Sequence, residues 1–506
     1  MDKRREYFFV LVRGVSDILD FVRGFLLIYI LGGAFGSEIF GTWGLIEQIY
    51  SVAVILTGLG LSQSVIRFLG GPHKSDYVRR LFILSSTLVI ALGLVLTAVM
   101  GFLDPVIDEK VIKTSVALEC LRAALPLILL NALELFLDGS YRARLRIDLH
   151  SFVRMVYTMA ILGVYLYASK ADFDLAKIIK LTLLVKAVYV VLLYLLFAML
   201  EFGRKDEVAP SGCDDEFALP KDGPAVPALK GMIVFGAPLM MFGLSTWLFG
   251  TGGKVILGFQ NGAGEVGRYD ASLKIAMLIQ YLGLPIAYTL LPVLAEAVSK
   301  KGKEAVSAIC RRFARLYFFL ALPLFMGLLA THDVILDAIT KSKSEEFNVS
   351  YAFFLLPLLA ALISQVNAFY HNVIFLKGHS RFLFLVNFAS ALFCLLINML
   401  FTKTLGMWCT ALASLLSYVL LLSLCAWRVR SYGFSPLGFL DLGFAGKCAA
   451  FSIIMFAAVM LGMRFIDYGS LIKLPLLALL GAVVYFVLAF AAKKFSLKAL
   501  IEELVG

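Results

Sequence analysis

The sequence predicts an all-α polytopic membrane protein of about 14 transmembrane helices: two six-helix bundles related by a pseudo-two-fold axis along the membrane normal, plus two C-terminal helices. Three observations lead there. Apolar runs of roughly 18–25 residues recur from Tyr7 to Ala492, and a helix rising ~1.5 Å per residue crosses ~30 Å of hydrocarbon in that length. The composition is 61% hydrophobic and 16% charged, against about 45–50% and 25% in soluble domains. A polar segment rich in Pro and Gly then separates six runs from eight. The strands of a transmembrane β-barrel alternate every second residue and do not give runs of this length.

The runs fall at 8–31, 43–69, 81–103, 114–137, 149–168, 178–200, 231–258, 270–296, 313–330, 351–376, 382–402, 407–427, 443–463 and 472–492. The N-terminal Met1-Asp-Lys-Arg-Arg-Glu has the positive flank of a signal peptide. The run behind it is too long, contains Arg13, Asp17, Asp20 and Arg23, and has no small-residue cleavage site, so it is expected to remain as the first helix. The N-terminus and alternate loops, with Arg315 at the edge of one, carry 26 Lys and Arg; the other loops carry 11. That bias predicts a cell-membrane protein with both termini in the cytoplasm. It also accounts for the net charge of +11 without a nucleic-acid partner. Six of the seven cysteines lie in or beside apolar runs, Cys213 does not, and no C-x-x-C pair occurs, which reads as packing rather than redox or metal chemistry.

The dividing segment, Glu201 to Lys230, holds Pro210, Pro220, Pro224 and Pro227 among glycines and mixed charges, the composition of a linker. The expected organisation is therefore an N-terminal six-helix bundle at 1–200, a cytoplasmic linker at 201–230, a second bundle at 231–430, and two further helices with a cytoplasmic tail at 431–506. The halves resemble each other. Gly32-Gly-Ala-Phe-Gly-Ser-Glu-Ile-Phe-Gly41-Thr-Trp43 has a counterpart in Gly258-Phe-Gln-Asn-Gly-Ala-Gly-Glu-Val-Gly267-Arg-Tyr269. An even number of helices per half gives both copies one orientation, the parallel-repeat plan of many transporters, with a substrate site expected between them.

Charges inside the spans carry the chemistry, because an intramembrane charge costs at least ~2.5–3.5 kcal/mol near a helix centre and must face a partner or a wet cavity. At ~100° per residue, Arg13, Asp17, Asp20 and Arg23 fall within about 120° of arc. Two readings fit this stripe. One is an internal ladder, Arg13 with Asp17 and Asp20 with Arg23. The other is a hydrophilic cavity whose guanidinium groups bind an anionic headgroup. Lys254 is a second candidate; Gly253-Lys254 is no phosphate loop, since Leu248 and Val255 stand where Gly and Ser/Thr are needed. Arg67 and Lys274 lie near span ends, where long side chains snorkel. Arg122, Arg154 and Lys186 suit structural pairing and substrate contact equally. Gln365, Asn367, Asn387 and Asn398 suit interhelical hydrogen bonds.

With Leu31-Gly-Gly, Phe40-Gly-Thr-Trp, Gly58-Leu-Gly-Leu-Ser-Gln-Ser-Val-Ile-Arg67-Phe, Val234-Phe-Gly-Ala-Pro-Leu, Lys254-Val-Ile-Leu-Gly258, Gly264-Glu-Val-Gly-Arg-Tyr269 and Leu290-Leu-Pro292, the chain resembles the oligosaccharide flippases of the multidrug/oligosaccharidyl-lipid/polysaccharide (MOP) exporter superfamily. The resemblance runs over essentially the whole chain. It implies a non-enzymatic transporter, without cofactor or metal, that flips polyprenyl-pyrophosphate oligosaccharides to the outer leaflet by alternating access through a central cationic cavity. Membrane lipids and other polysaccharide-assembly membrane proteins would be its partners, and it would work as a monomer. By position, Arg13, Arg23 and Arg67 would line the first bundle and Lys254 the second. Arg154 and Lys274 would join them in substrate binding, and Asp17, Asp20 and Glu47 would pair or couple charge. Relatives often carry Asp before the basic residue of the seventh helix; Gly253 stands there, so that charge pair is expected to be missing. Rival readings are a peptidoglycan lipid-precursor flippase, a multidrug/cation antiporter, and a membrane-embedded polysaccharide polymerase or ligase. For the last, no H-E-x-x-H motif is present in the sequence.

Overall fold

The computed structural model describes residues 16, 19–20, 22–70, 73–114, 117–168, 171, 173–202, 224–300, 302–340 and 343–492. Among them every regular element is helical. Twelve helical segments are long and apolar enough to cross a membrane. The first, Val22–Leu69, has 48 residues and takes in two expected spans. The expected span 270–296 lies on a 38-residue helix, Ala263–Lys300, outside those twelve. The described part of the fourteen expected spans thus falls on helix, apart from Thr114 and Ala492 at two span ends and the turns at Leu59–Gly60 and Leu125.

The chain forms two compact units. Unit 1 comprises Met1–Ala34 and Thr42–Trp247. After a π-turn at Ile28–Gly32 it holds most of α1 (Gly33–Gly58), then α2 (Leu61–Leu69), α3 (Ser75–Ile107), α4 (Ala117–Ala124), α5 (Pro126–Ala143), α6 (Ile147–Ala168), α7 (Leu175–Glu201) and α8 (Ala225–Trp247). Residues 203–223 of the expected linker lie outside the described residues; α8 begins at Ala225, inside the segment expected to be linker. The core of the unit centres on Phe82, which stacks on Phe197 at 4.4 Å and meets Phe136 and Tyr194 at 5.4 and 5.2 Å. Where backbones touch, glycine is obligatory: a Cβ on Gly60 of the Leu59–Gly60 turn would lie 2.1 Å from the Gly236 carbonyl oxygen. The Ser64 hydroxyl donates to Met232 O at 2.9 Å beside this crossing.

Unit 2 comprises Phe35–Gly41 and Leu248–Gly506. A second π-turn, Leu248–Gly252, leads into α9 (Gly253–Asn261), α10 (Ala263–Lys300), α11 (Gly302–Thr340), the short α12 (Ser344–Phe347), α13 (Tyr351–Leu376), α14 (Ser380–Leu405), α15 (Met407–Ser431), α16 (Leu442–Phe465) and α17 (Ser470–Ala491). The last two pack on α11 through Phe319, Met455, Val459, Leu477 and Tyr485, whose hydroxyl donates to Phe319 O at 2.8 Å.

The repeat seen in the sequence has a backbone signature. Gly36 has φ +85° and ψ −176°, and its counterpart Gly262 has φ +90° and ψ 170°, a region open in practice only to glycine. Within unit 2, a Cβ on Gly41 would sit 1.9 Å from Ala263 O, and one on Gly267 would sit 1.9 Å from Ser37 O. The contact is reciprocal, as a two-fold relation between these two short segments requires. The amide of Ser37, freed by the break at Gly36, donates to Glu346 at 3.0 Å. Lys343 lies 3.0 Å from the Glu346 carboxylate and, with the Ser37 amide, holds it below the usual carboxylate range.

Candidate substrate-binding cations

In unit 2 the π-turn ends directly before Gly253-Lys254, so the lysine emerges on the first turn of α9. A Cβ on Gly253 would lie 3.0 Å from Asn398 Nδ2 and 3.1 Å from Thr410 Cγ2, against α14 and α15. A larger residue there would have to force these helices apart. Asn398 joins the same two helices: its Oδ1 accepts from Thr402 and Thr410 at 3.1 and 2.9 Å.

Lys254 is buried and hydrogen-bonds Asp270 on α10. One turn later Lys274 reaches the other Asp270 oxygen at 3.3 Å, and its ammonium lies 4.7 Å over the Phe40 ring. The expectation of a missing charge pair at Lys254 is therefore corrected. The carboxylate comes from the next helix, across the Gly262 turn, because Gly253 is needed for packing. Asp270 is a candidate site residue outside the expected set; its signal in the sequence is an acidic residue at the start of a span, where a buried charge needs a partner.

In unit 1, Asp20 hydrogen-bonds Thr158 at 2.8 Å, pairs with Arg154 on α6, and lies 3.8 Å from Arg23. The Asp20–Arg23 rung of the expected ladder exists, but Arg154 is the nearer partner. Arg13 and Asp17, the other rung, lie outside the described residues. Glu47, on α1, is exposed. Lys186 on α7 pairs with Glu134 on α5 and lies 5.1 and 5.7 Å over the Tyr157 and Tyr189 rings, which stack on each other at 4.4 Å. Arg23 lies 5.9 Å over the same Tyr157 ring, which links the two ion pairs. Glu134, like Asp270, is an intramembrane acid the sequence reading did not single out.

Arg67, at the C-terminal end of α2, is exposed and stacks 4.7 Å over Phe235. It pairs with none of these carboxylates. The structure thus brings Arg23 to Arg154 in unit 1 and Lys254 to Lys274 in unit 2, each around one shared carboxylate; Arg67 shares neither carboxylate.

A family model described as polysaccharide biosynthesis protein matches residues 220–347. No curated protein sequence matches the chain. Among solved structures, the lipid II flippase MurJ in its inward closed conformation superposes with a TM-score of 0.73 at 11% identity, over 96% of this chain and 99% of that one. An inward-facing multidrug resistance MATE family transporter of the MOP superfamily gives 0.59 at 15% identity, over 81% and 94%. The chain shares the fold of these two transporters. A third member of that fold, a MOP superfamily transporter from Pyrococcus furiosus, matches with a TM-score of 0.50 at 14% identity, over 85% and 96%; its structure is described as having a binding pocket of reverse polarity that suggests a different function. The resemblance read from the motifs therefore holds at the level of the fold, and the polysaccharide-biosynthesis family model matches the opening of the second half.

Proposed function

We propose that this MOP-fold protein flips a polyprenyl-diphosphate-linked oligosaccharide from the cytoplasmic to the outer leaflet of the cell membrane, by alternating access and as a monomer, with both termini in the cytoplasm. One observation carries the reading. Among the described residues Lys254 and Lys274 share a single carboxylate, Asp270, which leaves that cluster one positive charge in excess in a largely buried setting. In hydrocarbon such a charge calls for a counter-anion. A diphosphate supplies one, and a headgroup that cannot cross ~30 Å of hydrocarbon unaided gains fixed cations in place of its hydration. Arg23 and Arg154 offer further guanidinium donors suited to phosphate oxygens. A cationic drug would meet repulsion from the same lysines, which disfavours a multidrug antiporter. The polysaccharide-biosynthesis model over residues 220–347 supports a glycan cargo.

A second reading, a lipid II flippase, is favoured by the near full-length correspondence with MurJ, 99% of whose chain is covered. Proteoliposome transport separates the readings. Polyprenyl-diphosphate oligosaccharide and a lipid II analogue are each loaded, and headgroup access from the far side is scored with wild type, Arg23→Ala and Lys254→Met. Movement of the oligosaccharide lipid that is lost in both variants supports the first reading. Movement of lipid II alone moves the assignment to the second. Normal transport in both variants overturns the cationic site.

A further inference from the structure

Of the six cations that the resemblance assigns to substrate binding, Arg13 lies outside the described residues and four share a carboxylate, but Arg67 has no carboxylate partner among the described residues. Lys230, on the first turns of α8, has none either. Both line one cavity of unit 1, about 710 Å³ in volume. A second cavity of about 680 Å³ shares Arg67, Phe235 and Leu239 as a common wall and extends between α1, α2, α5 and α8. Its remaining lining is mostly apolar, with Val54, Ile55, Ala132, Leu135 and Phe242, and both Leu135 and Phe242 are exposed. Gly58 also borders it, and a Cβ there would meet nothing within 4 Å. The result is an open trough, cationic at one end and apolar along its length.

We propose that this trough docks the polyprenyl diphosphate carrier, with the diphosphate on Arg67 and Lys230 and the first isoprene units along the apolar wall. The inference rests on the flippase reading and adds to it a docking site separate from the buried cations. Charge selects the occupant. Two cations with no carboxylate partner among the described residues complement two phosphate groups, whereas an ordinary phospholipid offers one phosphodiester. The Phe235 ring, 4.7 Å from the Arg67 Cζ, holds the guanidinium by a cation–π contact, and an arginine so placed suits bidentate recognition of phosphate oxygens. A single trough likewise suits one polyprenyl chain better than two acyl chains.

The test uses the full chain in phosphatidylcholine nanodiscs and a polyprenyl diphosphate, without glycan, that carries a photoreactive group near its first isoprene. Labelling is mapped to peptides. The expected result is labelling within residues 54–67 and 227–243, competed by unlabelled polyprenyl diphosphate and not by phosphatidylglycerol. Arg67→Ala/Lys230→Ala should weaken it roughly tenfold or more, the loss expected for charge-assisted contacts. Gly58→Leu, which fills open space, should block labelling while the protein stays folded by circular dichroism and gel filtration. Equal competition by phosphatidylglycerol, or labelling indifferent to these variants, overturns the proposal. Transport distinguishes it from the reading it rests on. Normal glycan-lipid transport in Arg67→Ala/Lys230→Ala removes the docking site and leaves the function standing. Specific labelling of a wild type that transports no glycan lipid removes the function and leaves the site.

Discussion

Neutralising Asp270 is the sharpest perturbation the structure offers. Asp270→Asn keeps the shape of the side chain and removes the only carboxylate that the described residues place against Lys254 and Lys274, whose side chains are 10% and 23% exposed. Unit charges 3.3 Å apart, the Lys274–Asp270 separation, interact by roughly 5 kcal/mol at an effective dielectric of ~20. Breaking a buried pair from one side costs about 3–5 kcal/mol, because the remaining charge stays desolvated. Asp270→Asn should therefore lower the thermal unfolding midpoint of the purified protein by several degrees. Lys254→Met/Asp270→Leu should recover part of that loss, since an ion pair replaced whole by apolar groups is close to neutral. Recovery stays partial because Lys274 keeps its charge, eased by its greater exposure and the Phe40 ring. An Asp270→Asn midpoint within about a degree of wild type, or a double variant less stable than Asp270→Asn, would refute the reasoning.

Other perturbations follow the same logic. Glu134→Gln leaves Lys186, 7% exposed, without its carboxylate; a loss of about 3–5 kcal/mol is expected, read by thermal unfolding, with Lys186→Met in the same chain restoring much of it. Gly41→Ala or Gly267→Ala drives a Cβ to 1.9 Å from a backbone oxygen. Each should destabilise the protein and abolish proteoliposome transport, whereas Gly163→Ala, with nothing within 4 Å of its Cβ, should be neutral or stabilise by up to ~1 kcal/mol. At the start of α16, burial of Asp441 is outweighed by the Phe444 amide and Arg315, which hold its carboxyl below the usual range. A depressed folded value means the contribution is complete above the unfolded pKa near ~4 and disappears as pH falls through the folded one. The stability gap between wild type and Asp441→Asn should therefore be constant from neutral to mildly acidic pH and shrink below ~4.

The helices were legible because a bilayer imposes a length and an apolarity on each crossing, and those constraints act on a single stretch of sequence. The matched glycine segments were legible for a related reason. Gly36 and Gly262 take a backbone conformation that excludes side chains, and Gly41 and Gly267 lie where helices touch, so the sequence has no freedom there. The charge partners were not. Asp20 and Arg23 are three residues apart and their contact could be read from helical geometry, yet Arg154 comes from α6 and depends on tertiary packing. Asp270 is sixteen positions from Lys254, across a turn, and no helical spacing connects them. Most helices extend beyond the apolar stretch that marked them. The span expected at 81–103 is a helix from Ser75 to Ile107, because polar residues continue the backbone hydrogen bonding beyond the apolar stretch.

A carboxylate shared between two cations has a consequence for binding that stability measurements alone do not reach. Asp270 offsets enough of the Lys254 and Lys274 charge to keep the empty site folded, yet leaves a deficit that an arriving anion can fill without first displacing it. Removing the carboxylate enlarges the deficit. The empty Asp270→Asn protein should be less stable, but an anionic ligand should stabilise it more, because a ligand stabilises the folded state in proportion to the logarithm of its affinity. The expected signature is a larger thermal shift by polyprenyl diphosphate in Asp270→Asn than in wild type, with slower transport, since tighter holding at one stage of a cycle retards release. Lys254→Met should shrink the shift. Equal shifts in all three proteins would leave the lysines as structural charges only and would move the anion site elsewhere in the chain.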